Sequence, residues 1–266
     1  PSHEPGGRHL VAIVGPTGAG KTALAIALAL RFGGEVVNAD SRQVYRGMDI
    51  GTAKPTRSQR EQIPHHVFDL IEPDEDYSLA VYLRDARSAI RSIHERSALP
   101  IVVGGTGQYA WGLLEGWQVP QTPPSPEIRR GLERRADAEG LAVLVSELEQ
   151  LDPDAAERID SLNPRRVIRA LEVAMQLAPR PDQGRKLRLE YGVTIVGLSV
   201  ERGDLYQRLD VRTEKMIAAG WVDEVQALID AGYSVDLPSM SSIGYRELAL
   251  YLSRDLSLDE AAAEIK

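Results

Sequence analysis

The feature that most constrains this chain is Gly15-Pro16-Thr17-Gly18-Ala19-Gly20-Lys21-Thr22. It is an uninterrupted G-x-x-x-x-G-K-T set between the apolar run Leu10 to Val14 and the helix-forming stretch Ala23 to Phe32. Those flanks place it on a strand-to-helix turn. The glycines let successive backbone N–H groups turn inward on an anion, Lys21 adds a point charge, and the Thr22 hydroxyl can ligate Mg²⁺ beside a diphosphate. A turn that merely joined strand to helix would need neither the lysine nor the threonine. The expected fold is α/β, a P-loop NTPase-like parallel sheet flanked by helices. Which phosphate compound is held, and whether it is hydrolysed, transferred from or displaced, the loop alone leaves open.

Gly33-Gly34 stops the first helix, and Glu35 to Ala39 reads as a second buried strand. It delivers Asp40 to the C-terminal edge, where open α/β sheets place their chemistry. From Asp40 to Pro55 the chain is rich in hydrogen-bonding side chains and poor in core formers, the pattern of a functional loop. A helix is expected from about Ser78 to Ser97, with Leu79, Tyr82, Leu83, Ala86, Ile90 and Ile93 on its core face. Pro100 to Val103 is a third strand, ending in Gly104-Gly105-Thr106-Gly107 before a helix Tyr109 to Leu114. A Walker-type NTPase would carry an Asp or Glu at such a strand end to hold Mg²⁺; Thr106 stands here, which argues against ATP hydrolysis.

At Val119 the pattern changes. Pro120, Pro123, Pro124 and Pro126 separate the strand-rich first part from helices opened by Ser125-Pro126, Asp152-Pro153 and Asn163-Pro164, each a cap residue followed by proline at the first helical position. The first is expected to run to Gly140 and the last through Leu177. They hold Arg129, Arg130, Arg134, Arg135, Arg165, Arg166 and Arg169, interleaved with Glu127, Glu133 and Glu172, so a salt-bridged solvated face competes with a binding face. Pro179 to Lys186 reads as a flexible loop and residues 1 to 8 as a loose lead-in. Val193 to Val200 then restores a strand of the sheet. A helix Asp204 to Ala219 follows, with Arg208 and Arg212 one turn apart and able to meet one anion, then Trp221 to Ala231 and a last helical pair. The expected organisation is a core in two parts, residues 9–118 and 191–266, around a mostly helical insertion at 119–190.

Composition narrows the classes. With no cysteine there is no disulfide or thiolate zinc site, and five scattered histidines give no helical metal pair. A formal net charge of −8 offers no global attraction to a polyanion, so nucleic acid would have to be met by local basic patches. Lacking a membrane-length apolar run or a secretory leader, the chain is expected to be soluble and cytoplasmic, without a membrane partner.

The P-loop, the run Asp40-Ser41-Arg42-Gln43-Val44-Tyr45 with Gly51-Thr52-Ala53-Lys54-Pro55, and Gly104-Gly105-Thr106-Gly107-Gln108-Tyr109 together resemble the bacterial tRNA dimethylallyltransferases. The resemblance extends in order through Asp152-Pro153, the Asn163-to-Val173 helix and Ile243-Gly244-Tyr245-Arg246-Glu247, and so covers nearly the whole chain. It departs around Pro179 to Lys186, where the family's Gly and Ser pattern is missing, and at Lys266, after which the family continues with a basic, aromatic segment.

That family moves the dimethylallyl group of dimethylallyl diphosphate to N6 of the adenosine at tRNA position 37, beside the anticodon, using Mg²⁺ and hydrolysing no ATP. The resemblance implies the same here, with the anticodon stem-loop of tRNA as macromolecular partner and a monomeric enzyme without an obligate protein partner. A diphosphate leaving group would lie on Gly15, Pro16, Thr17, Gly18, Ala19, Gly20, Lys21 and Thr22, with Thr22 on the metal. Lys21, Thr106 and Arg212 would neutralise the departing charge and Asp40 would accept the amine proton. Asp40, Ser41, Arg42 and Gln43 would meet a flipped-out base and its neighbours, and Asn163, Pro164, Arg165, Arg166 and Val167 the RNA. Other readings of the same loop are an isopentenyltransferase for free adenine nucleotides, a P-loop small-molecule kinase and a nucleotide-dependent switch protein.

Overall fold

A computed structural model describes residues 8–120, 122, 124–176 and 186–266. Most of the expected lead-in, together with Pro123, Leu177 and the stretch Pro179 to Arg185 of the expected loop, falls outside the described residues. The chain divides into two compact units, one built from the chain up to Gly116 and from Arg188 onward, the other from Trp117 to Leu187.

In the larger unit five strands, β1 (His9–Val14), β2 (Gly34–Asn38), β3 (His65–His66), β4 (Leu99–Val103) and β5 (Gly192–Gly197), form one parallel sheet in the order β3-β2-β4-β1-β5. Its central strands are apolar at consecutive positions because both faces are covered. On one face Ile13, Val36, Ile101 and Val103 pack with Ala25, Ile26 and Ala29 of α1 (Lys21–Phe32). One residue out of phase, Leu10, Ala12, Val37 and Val102 are buried toward the opposite face. There α3 (Leu79–Glu95) meets β2 and β4 with the expected core stripe, except that Leu79 is only half-buried and Ala80 takes part. The Ser78 hydroxyl caps α3, accepting from the Val81 N–H.

The strand order decides where function can sit. β4 lies between β1 and β2, so the loops after β1, β2 and β4 emerge side by side at the C-terminal edge, a topological switch point. β4 is followed by α4 (Gly107–Leu114), while β5, at the sheet's edge, ends three residues earlier than its apolar run suggested. Two elements carried too little pattern to be read: β3, only two residues long, and α2 (Arg57–Gln62), which buries no side chain. Thr56 and Gln59 cap α2 reciprocally. After β5 come α9 (Arg202–Ala218), α10 (Trp221–Asp230), α11 (Tyr245–Leu252) and α12 (Leu258–Ile265).

Among its described residues the regular elements of the second unit are all helices, apart from one bridge, Trp117 to Lys186. Its helices are α5 (Pro126–Glu139), α6 (Leu141–Leu151), α7 (Pro153–Arg158) and α8 (Pro164–Gln176). Leu132, Leu144, Leu148, Val167, Ile168 and Leu171 form its core. α6 had no cap-and-proline signal, being reached through Gly140. No helix among the described residues is long and apolar enough to cross a membrane.

Candidate active site

The P-loop closes on itself through the Ala19 N–H, which donates to Pro16 O at 3.2 Å. It enters α1 at Gly20, whose φ of 89° is the left-handed region open to glycine. No side chain among the described residues caps α1, so the first N–H groups of the helix stay available to an anion. The Lys21 ammonium donates to Gly15 O and Pro16 O, both at 2.9 Å. Burial pulls its pKa below the ordinary lysine value; the charge of Asp40 opposes that shift and the charge of Arg212 adds to it. Arg212, on α9, is likewise lowered by burial and raised by Asp40. Two cations and one carboxylate from three distant stretches therefore share one electrostatic neighbourhood.

Asp40 lies two residues beyond the end of β2. Its Oδ1 accepts the Arg42 N–H at 2.9 Å, a side-chain turn that fixes the carboxylate's orientation. Its backbone is gripped by Asn38, a fully buried residue: Oδ1 of Asn38 accepts the Asp40 N–H at 2.8 Å and Nδ2 donates to Asp40 O at 2.9 Å. The loop after β4 presses against this turn. Ala39 N–H donates to Val103 O, Thr106 N–H donates to Ala39 O, and a Cβ on Gly104 would stand 2.1 Å from the Ala39 carbonyl, so only glycine fits there. The Thr106 hydroxyl accepts the Ser41 N–H at 2.9 Å and donates to Ser41 Oγ at 3.1 Å.

The rest of the 40–56 loop is held by polar side chains of low exposure. Lys54, with a side chain 1% exposed, donates to Tyr45 O, to Asp49 at 2.7 Å and to Asp69. Burial would raise the Asp69 carboxyl, but the hydrogen bonds from Lys54 and Arg60 outweigh it and hold the group below its usual range. From α10, Glu224 accepts three backbone N–H groups, Asp49 and Ile50 at 2.7 Å and Gly51 at 3.1 Å, and the Tyr245 hydroxyl at 2.6 Å. Gln43 donates to Thr52 O and Ala53 O, and Arg42 to Pro238 O and Ser241 Oγ. Of these two side chains expected to meet RNA, Gln43 ties the loop to itself while facing the cavity described below, and Arg42 ties the loop to the 238–241 segment.

A cavity of about 1110 Å³ opens on this edge. Thr17, Gly18, Gly20, Lys21, Thr22, Asp40, Gln43 and Arg212 line it. Gly15, Pro16, Ala19, Ser41, Arg42 and Thr106 do not. Arg208 and Lys215, on the same helix as Arg212, add to its cationic wall, and Asp204, in the first turn of that helix, is a second carboxylate on it. Val36, Phe68 and Val103 supply apolar surface. Asn38, Lys54 and Glu224 are the supporting residues that had no assigned role from sequence.

The helical unit separates its arginines by partner. Arg129 and Arg169 pair with the fully buried Glu172 at 3.0 and 2.8 Å, and Arg135 pairs with Glu147 at 2.8 Å. Arg165 and Arg166 are exposed at the start of α8, and their guanidinium groups make no ion pair among the described residues. Asn163 Oδ1 accepts the Arg166 N–H at 3.3 Å. Val167, expected with them on the RNA-facing surface, is 0% exposed in the unit's core; it falls on the apolar face of α8 and its side chain reaches no ligand.

The same stretches are shared with known proteins. A family model described as IPP transferase matches residues 43–266, and one described as isopentenyl transferase matches residues 8–66. The chain is 51% identical over 259 residues to a tRNA dimethylallyltransferase of Thermomicrobium roseum, covering 97% of this chain and 78% of that protein. It is 51% identical over 258 residues to the protein of the same name from Roseiflexus sp. (strain RS-1), covering 97% and 85%. Among solved structures, the full-length tRNA isopentenylpyrophosphate transferase of Bacillus halodurans superposes with a TM-score of 0.68 at 40% identity, over 97% of this chain and 82% of that one. With matches that run through the P-loop, the Asp40 loop and the helical unit alike, the chain belongs to the IPP transferase family.

Proposed function

We propose that this protein transfers the dimethylallyl group of dimethylallyl diphosphate to N6 of the adenosine beside the anticodon of tRNA, releasing diphosphate. The observation that carries the reading is the Asp40 carboxylate, held in one orientation in a cavity whose cationic walls include Lys21, Arg208, Arg212 and Lys215. A cationic cradle suits a leaving diphosphate, and a fixed carboxylate facing it suits a proton acceptor. Tight family membership, with relatives named for this reaction, supports it.

The exocyclic amine of adenine is a weak nucleophile because its lone pair is delocalised into the ring. As N6 attacks the allylic carbon, a carbon–nitrogen bond forms, the carbon–oxygen bond breaks and its electron pair leaves on diphosphate. The N6 proton passes to Asp40, whose Oδ2 receives no hydrogen bond among the described residues while Oδ1 is anchored by Arg42. Lys21, Arg212 and the open N-terminus of α1 stabilise the charge that develops on diphosphate. The protein groups present fit a divalent metal of the Mg²⁺ type. The Thr22 hydroxyl is a hard oxygen donor, and no cluster of three or more His, Cys, Asp or Glu builds a cage among the described residues, which suits an ion that takes one or two protein ligands and substrate phosphate oxygens. When bound, Mg²⁺ supplies Lewis-acid stabilisation to the leaving group.

The helical unit, residues 119–190 in the sequence-based division, is the RNA-binding part of this reading, through Arg165 and Arg166, and the enzyme works as a cytoplasmic monomer. The test offers unmodified tRNA, AMP and ATP in separate reactions with labelled dimethylallyl diphosphate and Mg²⁺. Label is expected in tRNA alone. Label in a free nucleotide alone, or release of labelled phosphate without transfer, would overturn the proposal.

A further inference from the structure

We infer that Asn38 is a positioning residue for the transfer reaction: its buried carboxamide sets the place and direction of the Asp40 carboxylate. The inference rests on Asp40 acting as the proton acceptor. Asn38 is the one polar residue in β2 besides Glu35 and is 0% exposed, in a strand otherwise made of Gly34, Val36 and Val37. Burying a carboxamide is unfavourable unless all its groups are bonded, so its presence there calls for partners.

It has three, and they surround the functional turn. Oδ1 accepts the Asp40 N–H at 2.8 Å, while Nδ2 donates to Asp40 O at 2.9 Å and to Val67 O at 3.0 Å. One side chain thus holds both polar groups of the Asp40 backbone and ties them to Val67, a non-glycine residue at φ 66° in the adjacent segment after β3. The acceptor-plus-two-donors pattern is met by a carboxamide in this one orientation. A carboxylate in its place would face two carbonyl oxygens with no proton to give, and an alkyl group would take away the partners of the Asp40 N–H and of Val67 O and leave Asp40 O with only the Gln43 N–H, at 3.3 Å. With the peptide fixed by Asn38 and Oδ1 fixed by the Arg42 N–H, the remaining freedom of Asp40 is small. The β4 loop completes the frame through backbone bonds to Ala39 on one side of Asp40 and the Thr106 hydroxyl on the Ser41 N–H on the other.

The test is a double-mutant cycle of Asn38→Asp with Asp40→Ala, read by single-turnover prenyl transfer to tRNA and by thermal melting. Asn38→Asp keeps shape and the acceptor and removes both donors; Asn38→Ser is the second variant, smaller and uncharged. Misplacing a reacting group by about 1 Å costs up to about a hundredfold, so each Asn38 variant is expected to lower kcat about tenfold to a hundredfold with KM for dimethylallyl diphosphate little changed. In the Asp40→Ala background the same substitutions should cost almost nothing more, because the group they position is gone. Equal losses in both backgrounds, a loss confined to KM, wild-type turnover in a folded variant, or failure of both variants to fold would overturn the proposal. Failure of the Asp40 reading shows separately, as near-wild-type turnover of Asp40→Ala alone.

Discussion

The sheet edge of the larger unit and the charged surface of the helical unit treat cations in opposite ways. At the sheet edge, Lys21 and Arg212 are drawn out of water until burial lowers both pKa values, yet among the described residues no carboxylate pairs with either within ion-pair distance; Asp40 acts on them only through space. In the helical unit, Arg129 and Arg169 are bound to a fully buried Glu172. A desolvated cation left without a counter-ion is costly, and a structure that retains two of them is holding space for an anion. The neutralised arginines are structural by the same reasoning. Arg165 and Arg166, exposed and unpaired among the described residues, belong with neither: they stay hydrated and available to a phosphate backbone.

That contrast breaks most sharply at Lys21. Lys21→Ala removes the cation that the proposed mechanism sets against the leaving group and is expected to lower kcat/KM for dimethylallyl diphosphate about 10²- to 10³-fold, with the melting temperature unchanged or raised. A steady-state titration of the diphosphate and a thermal melt check both halves. Glu172→Ala should do the reverse, lowering stability by about 2–3 kcal/mol in denaturant unfolding. Two guanidinium groups and the Ser125 N–H would be deprived of their buried acceptor, and the figure stays at the low end because both arginines remain partly in water. Transfer by the remaining folded protein should continue.

Arg165→Ala with Arg166→Ala should weaken tRNA binding about tenfold and lower the salt dependence of binding by about one unit of slope for each phosphate no longer neutralised, leaving turnover at saturating tRNA intact. Filter binding across a salt series reads both. The smallest effect is on pH. Lys21 is charged below its pKa, and burial has lowered that pKa, so affinity for inorganic diphosphate should fall at lower pH than an ordinary lysine would allow. Asp40 raises the Lys21 pKa, so Asp40→Ala should move that loss to still lower pH; calorimetric titration from neutral to alkaline pH measures the displacement, and a shift to higher pH would contradict it.

How much of this was legible in the chain follows the range of the interactions involved. The P-loop, the caps Ser125, Asp152 and Asn163 and the core stripe of α3 are local patterns, visible within a few residues. Glu224 could not be read that way, because the N–H groups it holds lie more than 170 positions earlier. Asn38 did leave a trace, a lone carboxamide in a buried strand, which signals a required hydrogen-bond site once burial is considered. Val167 was misplaced because a motif was carried over as a block; the helical period that exposes Arg165 and Arg166 turns the next residue into the core. β3 and α2 were missed because two residues, and a helix that buries nothing, have no apolar period to detect.

The most direct test of the central claim is the single-turnover rate of Asp40→Ala with tRNA and dimethylallyl diphosphate both saturating, beside equilibrium binding of each. A carboxylate that accepts the N6 proton is worth about 10² to 10⁴ in rate, so transfer should slow by that factor while both substrates still bind. Transfer within a few-fold of wild type, or a loss that appears only in binding, would contradict the role of Asp40 at the sheet edge.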